Sequence, residues 1–339
     1  MPVHAFSRNR DNCHASGKQF DSGIAHELRQ RAPAVDLVGE FPGVHLVTVN
    51  DFHGRIEQSA PAGGIAALAQ AVNQVRAGNP NTVFAAAGDM IGASTFTSFI
   101  QNDVPTIETL NEAGLEVSAA GNHEFDKGLD DLQDRVLEIA DFDILAANFV
   151  DPETKDPVLS SHEVFEVGDV TVAVIGAVPN NLYATTTGAG LEGNEVPYHV
   201  DAVNEVARML SDGVEDVDNV EADIIVASYH DGADGNGSLE EETARSEVFE
   251  RIVNDTDPAV DVIFNGHSHQ AYDYDTTVST EDGTKERPVV QAGQSGNLLA
   301  AVELEIDAET SEVLGYESSL IEQSEQDAAA AAAESEATA

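Results

Sequence analysis

Five of the chain's eleven histidines fall just beyond short apolar runs that read as β-strands. Gly266-His267-Ser268-His269 follows the run Val260 to Phe264, and two imidazoles two residues apart at a strand exit can face one crevice. Asn50-Asp51-Phe52-His53-Gly54 repeats that spacing after Val44 to Val49, with a carboxylate in place of one imidazole. Gly88-Asp89 closes the run Thr82 to Ala87, and Gly121-Asn122-His123-Glu124-Phe125-Asp126 closes Glu116 to Ala120. His230 stands in Ser228-Tyr229-His230-Asp231-Gly232, after Ala222 to Ala227. Each string alone has a plain structural reading: a polar turn, a helix cap or a satisfied histidine. Their shared position is what counts, because α/β sheets gather ligands outside the carboxyl ends of their strands. The remaining histidines, His4, His14, His26, His45, His162 and His199, have no such company and read as structural or exposed.

Asp, His and Asn donors without a thiolate suit Mn²⁺, Zn²⁺, Fe²⁺ or Co²⁺, with no choice among them. Two such cations about 3.5 to 4 Å apart need an anion between them, and Asp89 is the natural candidate. Asn122 offers a neutral carbonyl oxygen, while His123 can face a substrate, oriented by Asp126. A metal pair of this kind activates water for in-line attack on phosphorus, so no nucleophilic side chain is needed. The chain has neither the phosphate-binding Gly-x-x-x-x-Gly-Lys-Ser/Thr loop nor a Gly-x-Ser-x-Gly elbow. Cys13 is its only cysteine, which excludes an intrachain disulfide and a thiolate-built zinc site.

Positioning these residues takes alternating elements. β-Branched runs also occur at Asp143 to Asn148 and Val170 to Val178, while amphipathic stretches at Gly64 to Ala77, Val104 to Ala113, Gly128 to Ala140, His199 to Leu210 and Leu239 to Asn254 predict helices. Alternation of this kind predicts α/β layers. Pro288 to Ala292, Leu298 to Ile306 and Val313 to Leu320 predict a finishing segment of successive antiparallel strands. Residues 1–42 lack periodicity and read as a poorly structured lead-in, 43–322 as the catalytic domain, and 323–339 as an acidic, Ala-rich tail or linker helix.

The formal charge of −47 argues against nucleic acid and anionic membrane surfaces as partners. An acidic surface poor in Lys is what a protein working in high salt carries, although an ordinary secreted acidic protein would share it. No apolar stretch is long enough to span a bilayer, and the basic first 35 residues lack the apolar stretch of a signal peptide. Nothing in the sequence fixes an oligomeric state.

The ordered set Asp-x-His, Gly-Asp, Gly-Asn-His-Glu, His and Gly-His-x-His resembles the calcineurin-like metallophosphoesterases, over residues 44 to 320 or so. Thr48-Val49-Asn50-Asp51-Phe52-His53-Gly54 and Gly121-Asn122-His123-Glu124-Phe125-Asp126 are similar to the 5'-nucleotidase branch. The resemblance implies a four-layer α/β/β/α sandwich and two divalent metal ions. It places Asp51, His53, Asp89 and His269 on one ion, and Asp89, Asn122, His230 and His267 on the other. His123 and Asp126 would form a catalytic dyad that stabilises the transition state and assists the leaving group. At the position of His269 some members of that family carry Gln.

The implied activity is hydrolysis of small phosphomonoesters, nucleoside 5'-monophosphates above all. Rivals at the same metal pair are 2',3'-cyclic nucleotides and UDP-sugars, and a rival of another kind is a surface binding or scaffold protein without turnover. Family members usually add a C-terminal domain that grips the nucleoside, and this chain is too short to hold it. The resemblance also implies an extracytoplasmic location, with the cytoplasm left open by the missing leader.

Overall fold

The computed structural model describes residues 43–322 except 60–61, 187–190, 192, 215–219 and 281–282. The expected lead-in and tail lie outside the described residues.

Two six-stranded sheets face each other. The first runs β12-β11-β1-β2-β3-β4, with β1 at Gly43–Val49, β2 at Thr82–Ala86, β3 at Val117–Ala119, β4 at Asp143–Leu145, β11 at Leu298–Ile306 and β12 at Val313–Glu322. The second runs β5-β6-β7-β8-β10-β9, with β5 at His162–Val167, β6 at Val170–Ala177, β7 at Ile224–Tyr229, β8 at Val262–Asn265, β9 at Ala271–Thr280 and β10 at Gly283–Ala292. Strands β1 to β4 are mutually parallel, as are β6, β7, β8 and β10, so each sheet sends a block of strand C-termini to one end.

Three apolar cores separate four layers. Leu46, Val83, Val174, Val226 and Val302 fill the space between the sheets. Leu68, Val72, Ile107 and Leu110, on the helices Gly64–Gly78 and Val104–Ala113, cover the outer face of the first sheet. Val203, Ala207, Phe249 and Ile252, on His199–Met209 and Glu247–Asp255, cover the second. This is the expected α/β/β/α sandwich. Strands buried on both sides explain why β2, β7 and β8 read as continuous apolar runs without alternation.

Three local expectations differ from the structure. The helix expected over Leu239 to Asn254 is two helices, Leu239–Arg245 and Glu247–Asp255. They break at Ser246, whose extended backbone and hydroxyl, accepting from the Phe249 amide at 3.4 Å, restart the second. β5 and β9 escaped sequence reading because each is an edge strand with polar or half-exposed positions throughout. The finishing strands form a successive antiparallel pair only at β11 and β12: β10 pairs with β8 and β9, and the chain then crosses to the other sheet, where β11 pairs with β1 and β12.

The Arg287 side chain on β10 is fully buried, and its bonded partners are all backbone carbonyls. The guanidinium donates to those of Val253, Thr256 and Asp257 at 2.8 to 3.2 Å, satisfying the C-terminal end of the helix Glu247–Asp255. Burial lowers its pKa, but it stays a cation matched to the helix dipole. Arg287→Met should therefore cost about 3 kcal/mol in urea unfolding, through carbonyls left without donors. An unchanged midpoint would show that these bonds contribute nothing net.

Candidate metal centre

The strand ends that meet at this centre are built from small residues. Ala85-Ala86-Ala87-Gly88, Ala119-Ala120-Gly121, Gly176-Ala177 and Ala227-Ser228 let the two sheets close together where they would otherwise be held apart by side chains. A Cβ on Gly121 would collide with Asp89 Oδ1, and one on Gly88 would collide with His230 Nδ1. The sheets are also tied directly there. Ser228 Oγ donates to the Ala86 carbonyl at 3.2 Å, and Asn50 bonds Gly293 and Ala292 across the gap at 2.6 and 2.8 Å.

Two groups of ligand-type atoms result, Asp51-His53-His269 and Asp89-His230-His267, the atoms of each lying within 4.8 Å of one another. Asp89 adjoins both: its Oδ2 is 3.0 Å from His230 Nε2 and 3.9 Å from His53 Nε2. All seven residues singled out as metal ligands by sequence are positioned from strand ends, and five of them, Asp51, His53, Asp89, His267 and His269, hold positive φ angles of 49° to 68°. Such backbone is costly for residues with a Cβ and persists only where the surroundings impose it.

The hydrogen-bond pattern shows what these side chains require. His230 Nδ1 lies 2.7 Å from the Ala87 carbonyl and His53 Nδ1 lies 3.0 Å from that of Gly92, contacts that only an N–H can make. In the neutral imidazole, each Nε2 is then a lone pair. His230 Nε2 faces the Asp89 carboxylate, and His53 Nε2 faces His269 Nε2 at 3.4 Å. Asp51 Oδ1, Asn122 Oδ1 and His230 Nε2 are all buried with no hydrogen-bond partner among the described residues. Acceptors turned on acceptors in a buried site repel unless a cation or a proton stands between them. Without a metal the proton takes that place: burial disfavours charge on His230, but Asp89 overrides it and lifts its pKa to about 10. Asp89 likewise overcomes its own burial through His230 and is held below the usual carboxylate range. Nitrogen and oxygen donors arranged this way fit two divalent ions of the kind named above.

His123 and Asp126 stand beside these groups. The His123 amide donates to Asp89 Oδ1 at 2.8 Å, its ring lies 5.2 Å from that of His53, and its Nδ1 is 2.9 Å from Asp126 Oδ2. The hydrogen bond to Asp126 raises its pKa against a smaller opposing effect of burial. Asn122 is fixed from the other side by donating to the Thr185 carbonyl at 3.2 Å.

Two residues were present in the motifs without an assigned role. Glu124, buried, accepts from the backbone amides of Asp89, Met90, Ile91 and Gly121 at 2.7 to 3.3 Å, which binds the Asp89 and Asn122 loops together. Burial, and next the Asp89 charge, push its pKa up to about 7. Asn50 donates to Asp51 Oδ2 at 2.6 Å and so turns the other oxygen toward the histidines. The signal was a polar residue inside a strand-end string, at a depth where only backbone partners are on offer.

A family model described as calcineurin-like phosphoesterase matches residues 44–271. The chain belongs to the calcineurin-like phosphoesterases. Members of this family use two divalent metals, in keeping with the two groups of candidate ligands. The chain is 29% identical over 325 residues to the endonuclease YhcR of Bacillus subtilis, an alignment covering 88% of this chain and 24% of the relative. It is 26% identical over 295 residues to a 5'-nucleotidase of Bos taurus, covering 77% and 46%. It thus spans less than half the length of both relatives. The crystal structure of a 5'-nucleotidase precursor from Thermus thermophilus shares the fold, with a TM-score of 0.65, 24% identity, and coverage of 83% of this chain and 54% of the other. These likenesses support the 5'-nucleotidase branch for this phosphoesterase.

Glu124→Gln should lower metal affinity about ten- to a hundredfold, because its amide nitrogen would face two of the four amide donors and loosen Asp89 and Asn122. Metal content after competition with a graded chelator reads this directly, and wild-type retention would remove Glu124 from the support of the site.

Proposed function

We propose that residues 43–322 hydrolyse phosphomonoesters, nucleoside 5'-monophosphates above all, with water activated by two divalent metal ions. The observation that carries this reading is the set of buried acceptor atoms aimed at one another around Asp89. Asp51, His53, Asp89 and His269 would hold one ion, and Asp89, Asn122, His230 and His267 the other. When bound, such a pair supplies Lewis acidity to the phosphoryl oxygens and lowers the pKa of water toward neutrality.

The chain's own groups do the rest. Nδ1 of His123 donates to Asp126, which fixes the ring and sustains a proton on Nε2. That proton stabilises charge on the departing oxygen and passes to it as the ester bond breaks. Asp126 Oδ2 also accepts from the Ala93 amide at 3.2 Å, so the dyad is held from a second loop. Glu124 keeps Asp89 and Asn122 in place.

A second reading comes from the relative named an endonuclease, which matches 88% of this chain. The sequence-based exclusion of nucleic acid rests on charge alone, and phosphodiesters therefore stand as the rival substrate class. An extracytoplasmic location is part of the proposal, supported by the precursor form named for the Thermus relative.

Chelation should abolish turnover and Mn²⁺ or Zn²⁺ restore it; full activity in the chelated protein would overturn the metal-dependent reading. Asp89→Ala should lose both metal and activity. His123→Ala should keep its metal and lose about a hundred- to ten-thousandfold in kcat. Rates on AMP, cyclic AMP, UDP-glucose and a single-stranded oligonucleotide rank the substrate classes, and a preference for the oligonucleotide would replace the nucleotidase reading with the nuclease one.

A further inference from the structure

A cavity of about 510 Å³ has His123 in its wall, a size within the range of small-molecule sites. His123 and Asp126 line it, and Asp51, His53, Asp89, His230, His267 and His269 do not. His123 is thus shared between the ligand groups and this space, with its ring 5.2 Å from that of His53 and its side chain in the cavity wall. On the phosphoesterase reading, which this inference rests on, a group that leaves with the proton of His123 leaves into the cavity.

The charges in its wall are already matched. Lys127 pairs with Asp103 at 3.2 Å, and Arg135 grips Asp131 with Nε at 2.7 Å and Nη2 at 2.5 Å. Asp126 is engaged by His123 and the Ala93 amide. Among the described residues no surplus positive charge remains in this wall to attract a second phosphate, so the space suits an uncharged group.

Its rim is apolar. Phe99 lines the cavity, and Phe96 and Ile100 lie beside it in the chain, exposed by 76%, 60% and 56% for Phe96, Phe99 and Ile100. Three of the seven large apolar side chains exposed among the described residues thus crowd into five positions around Phe99, which lines the pocket. The segment that carries them is anchored. Thr95 Oγ1 donates to the Gly54 carbonyl at 2.7 Å, the Thr95 amide to the His53 carbonyl at 3.3 Å, and the buried Ser98 hydroxyl to Asp103 at 2.8 Å. Aromatic faces held open to solvent by bonds to a candidate ligand loop are positioned for a partner.

We propose that Phe96, Phe99 and Ile100 form a leaving-group platform within this domain, selecting esters whose leaving group is uncharged and carries a flat aromatic ring. Stacking on the platform draws the ester oxygen toward His123. The shared chemistry covers a nucleobase and a simple aryl group.

The test has two arms. In the first, the surface variant Phe96→Ala/Phe99→Ala is assayed on AMP, an aryl phosphate and glycerol phosphate; KM should rise about tenfold more for the aromatic esters than for glycerol phosphate. Equal changes for all three would overturn the platform, and a rise confined to AMP or to the aryl ester names the ring it accepts. The second arm needs no turnover. The chain has no tryptophan, so Phe99→Trp supplies a single indole fluorophore, which adenosine or phenol should quench saturably and ribose should not. Absence of saturable quenching by both aromatic ligands overturns the platform. A wild-type protein inactive on every ester overturns the phosphoesterase reading instead, and the quenching still decides the platform.

Discussion

Buried acceptor atoms that face one another are the constraint on which this structure turns. Asp89 Oδ2 and His230 Nε2 stand 3.0 Å apart in a buried setting, with the unpartnered Asp51 Oδ1 and Asn122 Oδ1 buried nearby. Left without a cation such an arrangement favours opening the site, so everything around it works to hold the strand ends together. The alanine and glycine runs admit the close approach, and Glu124 ties down four amides. Hydrogen bonds to Ala87 and Gly92 choose the histidine tautomers. The left-handed backbone at Asp51, His53, Asp89, His267 and His269 belongs to the same scheme, since residues with a Cβ hold it only where their surroundings impose it.

The division of labour between the sheets explains why the centre is assembled from distant parts of the chain. The first sheet supplies Asp51, His53, Asp89, Asn122 and His123, and the second supplies His230, His267 and His269. Neither sheet alone contains a complete candidate site. The interlayer core of Val and Leu therefore serves the candidate centre as directly as it serves stability: it sets the distance between two half-sites. The glycines at 88 and 121 show how fine that setting is, because even one methyl group would strike the side chain of a candidate ligand.

Much of this was legible in the sequence for identifiable reasons. Strands such as Val262–Asn265 and Ile224–Tyr229 are buried on both faces, so they announce themselves as apolar runs, and histidines recur just beyond them. The helix Val104–Ala113 ends at Gly114, whose positive φ of 76° is the ordinary stop signal. What escaped was whatever depended on partners far away. His162–Val167 and Ala271–Thr280 are edge strands whose pattern is diluted by polar residues. The break at Ser246 lies inside an amphipathic stretch that continues in phase on both sides. Glu124 could be read as part of a motif, but the four amide bonds it accepts exist only once two loops have met.

The crossing between the sheets bears on how the chain reaches this state. β1 is the first strand among the described residues, yet one of its flanks is covered only by β11, and Asn50 at its end is tied to Gly293, 243 residues later. Contacts of such sequence separation place the molecule among slow-closing topologies. Until the last third has been made, β1 presents an unpaired, largely apolar edge to its surroundings. During synthesis, then, the segment that opens the metal-binding half waits longest for its partner, and a ribosome-bound nascent chain would need that flank shielded, by a chaperone or by the chain's own acidic repulsion, before the two halves could meet.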